Sequence, residues 1–170
     1  HQRDVDCDLL VASAGMTPVT GPLSLAQAEL AYDNHTGFFL PSKLPAKMYA
    51  AGRLLGLDDS LSIEASGHLA GLKAAADCGA DVESDLKLAR ERLNDLPGAS
   101  RGCKLVQAPV KGRKTFICFD EDTTLKNVTQ ALEMGFDATE LIKRFTAAGT
   151  GPGQGGIPGH NLPLFVAQYH

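Results

Sequence analysis

One stretch, residues 116–154, constrains the fold of this chain more than any other. Thr115–Phe119 is rich in β-branched and aromatic residues, which is typical of a short strand. After an acidic run, Thr124 is a good N-cap for a helix over Leu125–Met134, and Gly135 closes that helix. The stretch therefore predicts a strand, a turn and the first of two capped helices.

The second helix opens on a sequence similar to a capping box, Asp137–Glu140, and runs to about Ala148 before Gly149 ends it. Helical spacing directs three apolar side chains toward the core: Leu141, Ile142 and Phe145. Lys143 and Arg144 then face outward near the helix C-terminus. There they either complement the helix dipole or meet an anionic cofactor or partner, and both interpretations stay open.

An acidic run, Asp120–Asp122, lies between the strand and the first helix. Three adjacent carboxylates raise the question of a metal site. Their spacing is not that of a calcium loop, and no glycine stands at the required bend. Acidic residues at a helix entry favour the helix dipole, so a structural role is the preferred interpretation.

The glycine-rich segment Gly151–Gly156 satisfies the spacing GxGxxG. That motif binds a dinucleotide when it follows a strand and opens a helix. Here it follows a helix, and we expect Ile157–Gly159 not to start one. We therefore reject a dinucleotide site at this segment and predict an extended apolar tail over Leu162–Tyr169.

The first half of the chain contains three strand-like segments. Cys7–Ala14 is a short continuous apolar run, which favours a buried strand. Leu25–Leu44 carries turn-forming residues between two apolar runs and predicts a β-hairpin. Met48–Gly52 predicts another short buried strand that ends in glycine.

A helix follows over about Leu61–Ala76, with Ser60 as its predicted N-cap and Gly79 after its end. Gly67 and Gly71 lie four residues apart on one face of this helix. Glycine weakens a helix interior by about 1 kcal/mol relative to alanine. Two glycines on one face therefore suggest the close approach of another backbone.

Composition excludes several classes of function. The chain has 170 residues and a formal net charge of -4, which argues against nucleic acid as the main partner. The only compact basic cluster, residues 111–114, is better explained as a solvated hairpin tip than as a phosphate site. No tract resembles a membrane span, and the four cysteines form no CxxC pair. We therefore expect a reducing, cytoplasmic setting without a zinc site.

The organisation predicted from these patterns is α+β with two parts, residues 1–82 and residues 83–170. The second part starts with a charged linker helix over Ser84–Leu96. A hairpin of Leu105–Ala108 and Thr115–Phe119 follows, then the two-helix module and the tail. The chain begins without Met and directly before an apolar run, so we expect it to be a piece of a longer protein or a processed product.

The first part resembles the C-terminal portion of the nucleotide-binding domain of glutathione-reductase-like enzymes. The resemblance rests on the order CDLLVASAGMTP, MYAAGRLLG and SGHLAGLKAA. Such enzymes bring the turn after the strand against the cofactor. They usually carry an acid where this chain has Arg53, which favours a different or reoriented nucleotide.

Nearly the whole chain resembles the middle of the alpha subunit of heterotetrameric sarcosine oxidase and of related amine- and opine-oxidising subunits. The most specific part is the string from Asp122 to Gly155, with its GF, KRFT and glycine–glutamine features. Related subunits carry a small helical module similar to a bacterioferritin-associated ferredoxin, which holds a two-iron cluster. Its four ligand positions fall here on Cys118, Asp120, Gly153 and Pro158. A cluster needs four thiolates, so the resemblance implies a module without an iron–sulfur cluster.

The resemblance implies two cofactor-facing regions. A nicotinamide nucleotide (NAD) would be contacted by the turn that follows the second predicted strand, at Ala51, Gly52, Gly56 and Asp58. An FMN at the interface with a flavin-bearing beta subunit would be faced by the end of the two-helix module, at Lys143, Arg144, Thr146 and Gln154. Other oxidase subunits would be further partners, and neither nucleic acid nor a membrane is expected.

The family oxidises sarcosine to glycine with release of hydrogen peroxide. This chain carries no self-sufficient catalytic residues, so we expect it to be inactive alone and to contribute nucleotide binding and an interface. The alternative is a non-enzymatic assembly module or a docking module for electron transfer. A third interpretation is a domain whose cofactor surface is vestigial.

Overall fold

The structure is a computed structural model that describes residues 4–9, 11, 16–99 and 114–170. It contains both helices and strands, in agreement with the α+β prediction. The chain separates into two compact units, residues 1–31 with 40–103 and residues 32–39 with 104–170. The elements in chain order are α1 (Gly21–Leu25), β1 (Glu29–Asp33), β2 (Phe38–Lys43), a 3-10 helix (Gly52–Leu55), α2 (Ser60–Asp77), α3 (Glu83–Asn94), β3 (Phe116–Cys118), β4 (Thr123–Thr124), α4 (Leu125–Glu133), α5 (Thr139–Thr146) and α6 (Gly156–Tyr169).

Two of the predicted strands in the first half are wrong where the structure describes them. Residues 7–9 and 11 form no strand, and the side chains of Leu9 and Val11 are exposed; the other residues of Cys7–Ala14 lie outside the described residues. Met48–Gly52 is half-buried but joins no strand pair among the described residues. An apolar run becomes a strand only when another strand satisfies its backbone groups, and pattern reasoning cannot supply that partner.

The predicted hairpin is confirmed, since β1 and β2 pair in a two-stranded sheet. The turn between them is held by the Asp33 carboxylate, which accepts hydrogen bonds from the Thr36 N–H at 2.8 Å and the Thr36 hydroxyl at 2.6 Å. The hydroxyl bond, more than any other contact, lowers the pKa of Asp33 below its usual value. Gly37 then adopts a φ of 75°, which favours glycine.

The predicted helix after residue 60 is confirmed as α2, but its N-cap is Asp59 and not Ser60. The Asp59 side chain accepts a hydrogen bond from the Ser62 N–H. The inference of close packing at Gly67 and Gly71 is also wrong. No atom of the described residues lies within 4 Å of a Cβ built at either position, so within this part of the chain these glycines weaken α2 without admitting a neighbour.

We therefore expect Gly67→Ala and Gly71→Ala each to raise the free energy of unfolding by about 1 kcal/mol, because alanine loses less backbone entropy in a helix. Denaturant unfolding of the purified chain measures the change. The control is Gly79→Ala just after α2, where φ is 90°. That substitution should destabilise the chain by about 1 kcal/mol. If Gly67→Ala and Gly71→Ala instead lowered the free energy of unfolding, there would be less space around these glycines than the structure shows.

In the first unit, α3 packs against α2 and buries Ala89. Arg92 Nη2 of α3 lies 3.6 Å from Glu64 Oε1 of α2, and both side chains are largely exposed. Such an exposed ion pair contributes little stability. The burial of Ala89 and Leu69 therefore contributes more stability to this helix pair than the ion pair does.

In the second unit, β3 pairs antiparallel with β4, so that Phe116 faces Thr124 and Cys118 faces Thr123. The partner predicted for β3, Leu105–Ala108, lies outside the described residues. The first helix of the module is confirmed as α4, with Thr124 as its N-cap. Asn127 completes a reciprocal capping box there.

The second predicted helix is confirmed as α5, but its start and its inward face differ from the prediction. The N-cap is Ala138, which makes no side-chain capping bond, so the predicted capping box is wrong. Ile142 is fully buried as expected. Leu141 is 44% exposed and Phe145 is 47% exposed, so their inward orientation was predicted wrongly. Of the three apolar side chains, only that of Ile142 lies at the centre of the buried face of α5.

The predicted extended tail is wrong, because residues 156–169 form helix α6. Pro158 is buried in the first turn, where its missing N–H removes no helical hydrogen bond. Leu162, Phe165 and Val166 are buried and belong to the core of this unit. Their spacing of three and four residues is the helical signal that the proline and glycine content concealed. None of the described helices is both long and apolar enough to cross a membrane.

Candidate functional site

The first predicted contact region is the turn that leads into the 3-10 helix. Ala51 is half-buried and extended, with φ -146° and ψ 165°. Gly52 is buried with a φ of 63°, a conformation that favours glycine. Its N–H donates to Ser66 Oγ at 2.8 Å. The structure thus brings Ala51 and Gly52 into one turn, whose glycine N–H already donates to Ser66 Oγ.

The other two predicted nucleotide residues lie between the 3-10 helix and α2. Gly56 ends the 3-10 helix with a φ of 77°, and its N–H donates to the Arg53 carbonyl at 3.0 Å. Asp58 is exposed. The four predicted residues therefore lie along one short segment, residues 51–58. The side chain of Asp58 is exposed, whereas the N–H groups of Gly52 and Gly56 already donate to oxygen atoms of the chain.

Sequence reasoning missed Asp59, the residue at the entry of α2. Its Oδ1 accepts from the Ser62 N–H at 2.9 Å, and Asp59 Oδ2 is buried. The nearby Ser62 hydroxyl is the main cause that lowers the pKa of Asp59, followed by the Ser62 N–H. An Asp three residues before a Ser at a helix start was the available signal.

A carboxylate with a lowered pKa stabilises the fold only while it is ionised. The contribution of Asp59 is therefore complete above the unfolded-state pKa of about 4 and is lost as pH falls through the lower folded-state pKa. We expect Asp59→Ala to lower the free energy of unfolding at pH 7, with a smaller difference from the unsubstituted chain near pH 3. Denaturant unfolding across this range measures both. Asp81→Ala, at an exposed aspartate after α2, is the matched control, and an equal pH dependence in both variants would contradict the capping role of Asp59.

The second predicted contact region is the C-terminal half of α5. Lys143 Nζ lies 3.3 Å from Glu140 Oε1, one helical turn earlier, whereas Arg144 is exposed. The Thr146 hydroxyl donates to the Ile142 carbonyl at 2.7 Å, and the Thr146 carbonyl accepts from the Thr123 hydroxyl at 3.0 Å. Arg144 thus remains available for an anion, while Thr146 mainly ties α5 to β4.

Gln154, the last of the predicted residues, is exposed in the turn before α6 and has a φ of 45°. Its N–H donates to the Gly151 carbonyl at 2.9 Å. Among the described residues, no hydrogen bond or ion pair joins Gln154 to the three predicted residues of α5. The structure therefore does not assemble the four into one cluster of contacting side chains.

The positions aligned with cluster ligands gather at the loop before α6. Cys118 is fully buried, and its Sγ accepts from the Gly149 N–H at 3.4 Å. Asp120 Oδ2 accepts from the Gly153 N–H at 2.8 Å, and Pro158 is buried beside Gly149. One thiol and one carboxylate do not fit a cluster that needs four thiolates. In the described part of the chain, no group of three or more His, Cys, Asp or Glu side chains is placed to hold a metal ion.

The helix-dipole interpretation of the acidic run is wrong for Asp120. The first turn of α4 contains no acidic residue, because Thr124 takes the N-cap position. Asp120 instead holds the glycine loop through the Gly153 N–H. A Cβ built on Gly151 would lie 2.6 Å from Asp120 Cβ and 2.8 Å from Glu121 Oε1. The glycines of the rejected GxGxxG motif therefore allow a close approach to the acidic turn.

The family model of the sarcosine oxidase A3 domain matches residues 112–168. Sarcosine oxidase subunit alpha from Corynebacterium sp. strain P-1 is 29% identical over 159 residues, and that from strain U-96 is 30% identical. The resemblance to sarcosine oxidase subunit alpha is confirmed. Each alignment covers 91% of this chain, which spans 16% of the length of either relative.

A solved structure shares the fold. The chain superposes on L-proline dehydrogenase from P. horikoshii with a TM-score of 0.68 and 21% sequence identity. The superposition covers 91% of this chain and 32% of the dehydrogenase chain. At this identity the likeness establishes the fold alone.

Proposed function

We propose that this chain is part of the alpha subunit of a flavin-dependent, sarcosine-type amine oxidoreductase, where it contributes to nucleotide binding and to a subunit interface. The observation that carries the proposal is the similarity to sarcosine oxidase subunit alpha over 91% of the chain. The fold shared with L-proline dehydrogenase supports it. The reaction itself belongs to cofactors and residues of the assembled enzyme, and we expect no turnover from this chain alone.

The turn formed by Ala51, Gly52, Gly56 and Asp58 is the proposed contact for NAD. The Gly52 N–H and the Ser62 N–H are both used by protein oxygens. The carboxylate of Asp59 also lies at the start of α2, where a phosphate would otherwise be favoured. This arrangement suits nucleotide hydroxyl groups, which donate to carboxylates, better than it suits a pyrophosphate.

The C-terminal half of α5 and the loop before α6 are the proposed side that faces FMN and a flavin-bearing beta subunit. Exposed Arg144 and the half-exposed Lys143 supply positive charge near the end of α5. Cations of this kind favour a phosphate or an acidic partner surface. Thr146 follows them on α5, Gln154 lies in the loop before α6, and both belong to the proposed surface.

The setting proposed for the assembly is the cytoplasm. Cys7, Cys78 and Cys118 carry free thiols, two of them exposed, and free thiols are ordinary in a reducing compartment. Mass spectrometry after alkylation of the native protein tests this setting. We expect the two exposed thiols to be fully alkylated in protein prepared without reductant.

The experiment that tests the proposal mixes the chain with a flavin-bearing beta-type subunit and assays sarcosine oxidation and FMN retention. We expect no turnover by the chain alone. We also expect the double substitution Lys143→Ala and Arg144→Ala to weaken FMN retention by the mixture by about tenfold. Lys126→Ala on the exposed surface of α4 is the control. Turnover by the isolated chain, or equal FMN retention by all variants, would contradict the proposal.

The alternative is a non-enzymatic assembly or electron-transfer docking module. The exposed apolar side chains of Leu141 and Phe145 on α5 favour a docking role. Electron transfer would also need a redox group. Iron analysis of the purified chain distinguishes an assembly module from an electron-transfer module. Stoichiometric iron with a visible absorption band would support electron transfer. It would also overturn our expectation of no iron–sulfur cluster.

A further inference from the structure

A small pocket lies within the second unit, between the acidic turn, α4 and the end of α5. It is a cleft open to solvent with a volume of about 210 Å³, and its walls include Glu121, Asp122, Gln130, Phe145 and Thr146. Pockets for drug-sized ligands and cofactors span about 300–1,000 Å³. This pocket is therefore too small for a nucleotide and has the size expected for a single side chain.

The pocket is suited to a cation. Glu121 and Asp122 are exposed, and neither takes part in the ion pairs that join described residues. The pocket also adjoins the C-terminal end of α5, where helix carbonyl groups carry partial negative charge. The ammonium group of Lys143 is paired with Glu140, and Lys143 is not one of the residues that line the pocket.

One wall of the pocket is aromatic and continues as an apolar surface. The ring of Phe145 stacks on that of Phe136, with centroids 4.8 Å apart and planes inclined by 27°. This stacking holds the ring in place although Phe145 is 47% exposed. Leu141 lies four residues earlier on α5 and is 44% exposed, so the two form an apolar stripe beside the pocket.

We propose that this pocket receives an arginine side chain from a partner subunit. Charge complementarity selects a cation, and the partly exposed ring of Phe145 in the pocket wall favours a planar one, because a guanidinium both stacks on an aromatic ring and bonds carboxylates in a fork. The aliphatic part of the arginine would then cover the stripe of Leu141 and Phe145. The partner's identity as an oxidase subunit rests on the proposed function, whereas the chemistry of the pocket does not.

The test uses the full chain and a defined probe, the peptide acetyl-Gly-Arg-Gly-amide. The citrulline version of this peptide has nearly the same shape without the charge. We expect saturable NMR shifts of the Phe145 ring and the Gln130 side-chain amide with the arginine peptide. The citrulline peptide should bind about tenfold more weakly. Binding of the arginine peptide should also weaken as salt increases.

Variants locate the binding. The double substitution Glu121→Gln and Asp122→Asn should weaken binding of the arginine peptide by about fivefold. Phe145→Leu, which keeps apolar volume but removes the ring, should weaken it by about threefold. Glu133→Gln, an exposed carboxylate of α4 outside the pocket, is the matched control and should leave binding unchanged.

Equal binding of the arginine and citrulline peptides, or equal weakening by Glu133→Gln, would overturn the pocket proposal. So would shifts that leave Phe145 and Gln130 unaffected. These outcomes are separate from those of the proposed function. The peptide titration requires neither a flavin nor a beta-type subunit, while FMN retention depends on Lys143 and Arg144, which do not line the pocket.

Discussion

Ile142→Ala should lower the free energy of unfolding by about 2 to 5 kcal/mol. Ile142 is fully buried in the core of the second unit, together with Val128, Leu162 and Phe165. The substitution removes three carbon atoms from a packed site and leaves a cavity that the surrounding helices can fill only partly. Denaturant unfolding of the purified chain, followed by circular dichroism, measures the loss.

The matched control is its neighbour, Leu141→Ala. Leu141 is 44% exposed, and substitutions at such surface positions usually change stability by no more than about 0.5 kcal/mol. The pair tests the observed orientation of α5, because the sequence pattern predicted that both side chains point inward. Similar losses for both variants would contradict the structure and restore the original prediction.

Gly151→Ala should lower the free energy of unfolding by about 1 to 3 kcal/mol, because the new methyl group overlaps an atom that cannot move easily. The built Cβ lies 2.6 Å from Asp120 Cβ, an atom attached directly to the backbone. Relief of this overlap would require the acidic turn or the glycine loop to shift. The measurement is again denaturant unfolding, combined with NMR shifts of the Asp120 and Gly153 amides.

Gly156→Ala provides the comparison within the same glycine-rich segment. In the part of the chain that the structure describes, nothing lies within 4 Å of a Cβ built there, and the residue is the first of α6. Alanine should therefore be neutral or slightly stabilising. If Gly151→Ala proved as harmless as Gly156→Ala, the close contact between the loop and the acidic turn would be wrong.

Short-range sequence signals correctly predicted the strand and the helices within residues 116–154. The cap at Thr124, the helix over residues 125–133 and the glycine after it depend on contacts within a few residues, so the sequence contains the necessary information. The hairpin at residues 29–43 was predicted for the same reason, since Asp33 and Thr36 form its turn locally. These elements need no distant partner to be recognised.

Predictions failed where the outcome depends on distant residues. The apolar run Met48–Gly52 has the composition of a strand, but none of the described strands pairs with it. The proline- and glycine-rich segment after residue 155 was assigned as extended, yet burial of Leu162, Phe165 and Val166 stabilises it as a helix. Packing supplies more free energy to such a helix than intrinsic propensity removes.

Among the candidate functional residues, too, some were predicted from the sequence and others were not. The sequence pointed to the turn after residue 50 and to α5, and these assignments remain proposals. It did not identify Asp59, whose carboxylate caps the start of α2, because two adjacent aspartates look equivalent in a sequence. Nor did it predict the pocket beside Phe145, which forms only when the acidic turn, α4 and α5 pack together.

By itself, the sequence determined the family resemblance, the hairpin, the cap of α4 and the absence of three of the four thiols that a cluster would need. Residue identity and short-range spacing are sufficient for each of these. Tertiary structure alone decided that Ile142 is buried while Leu141 is not, that Asp120 binds the Gly153 N–H, and that the last apolar segment is helical. Those outcomes depend on which surfaces meet after folding, and single-chain patterns do not contain that information.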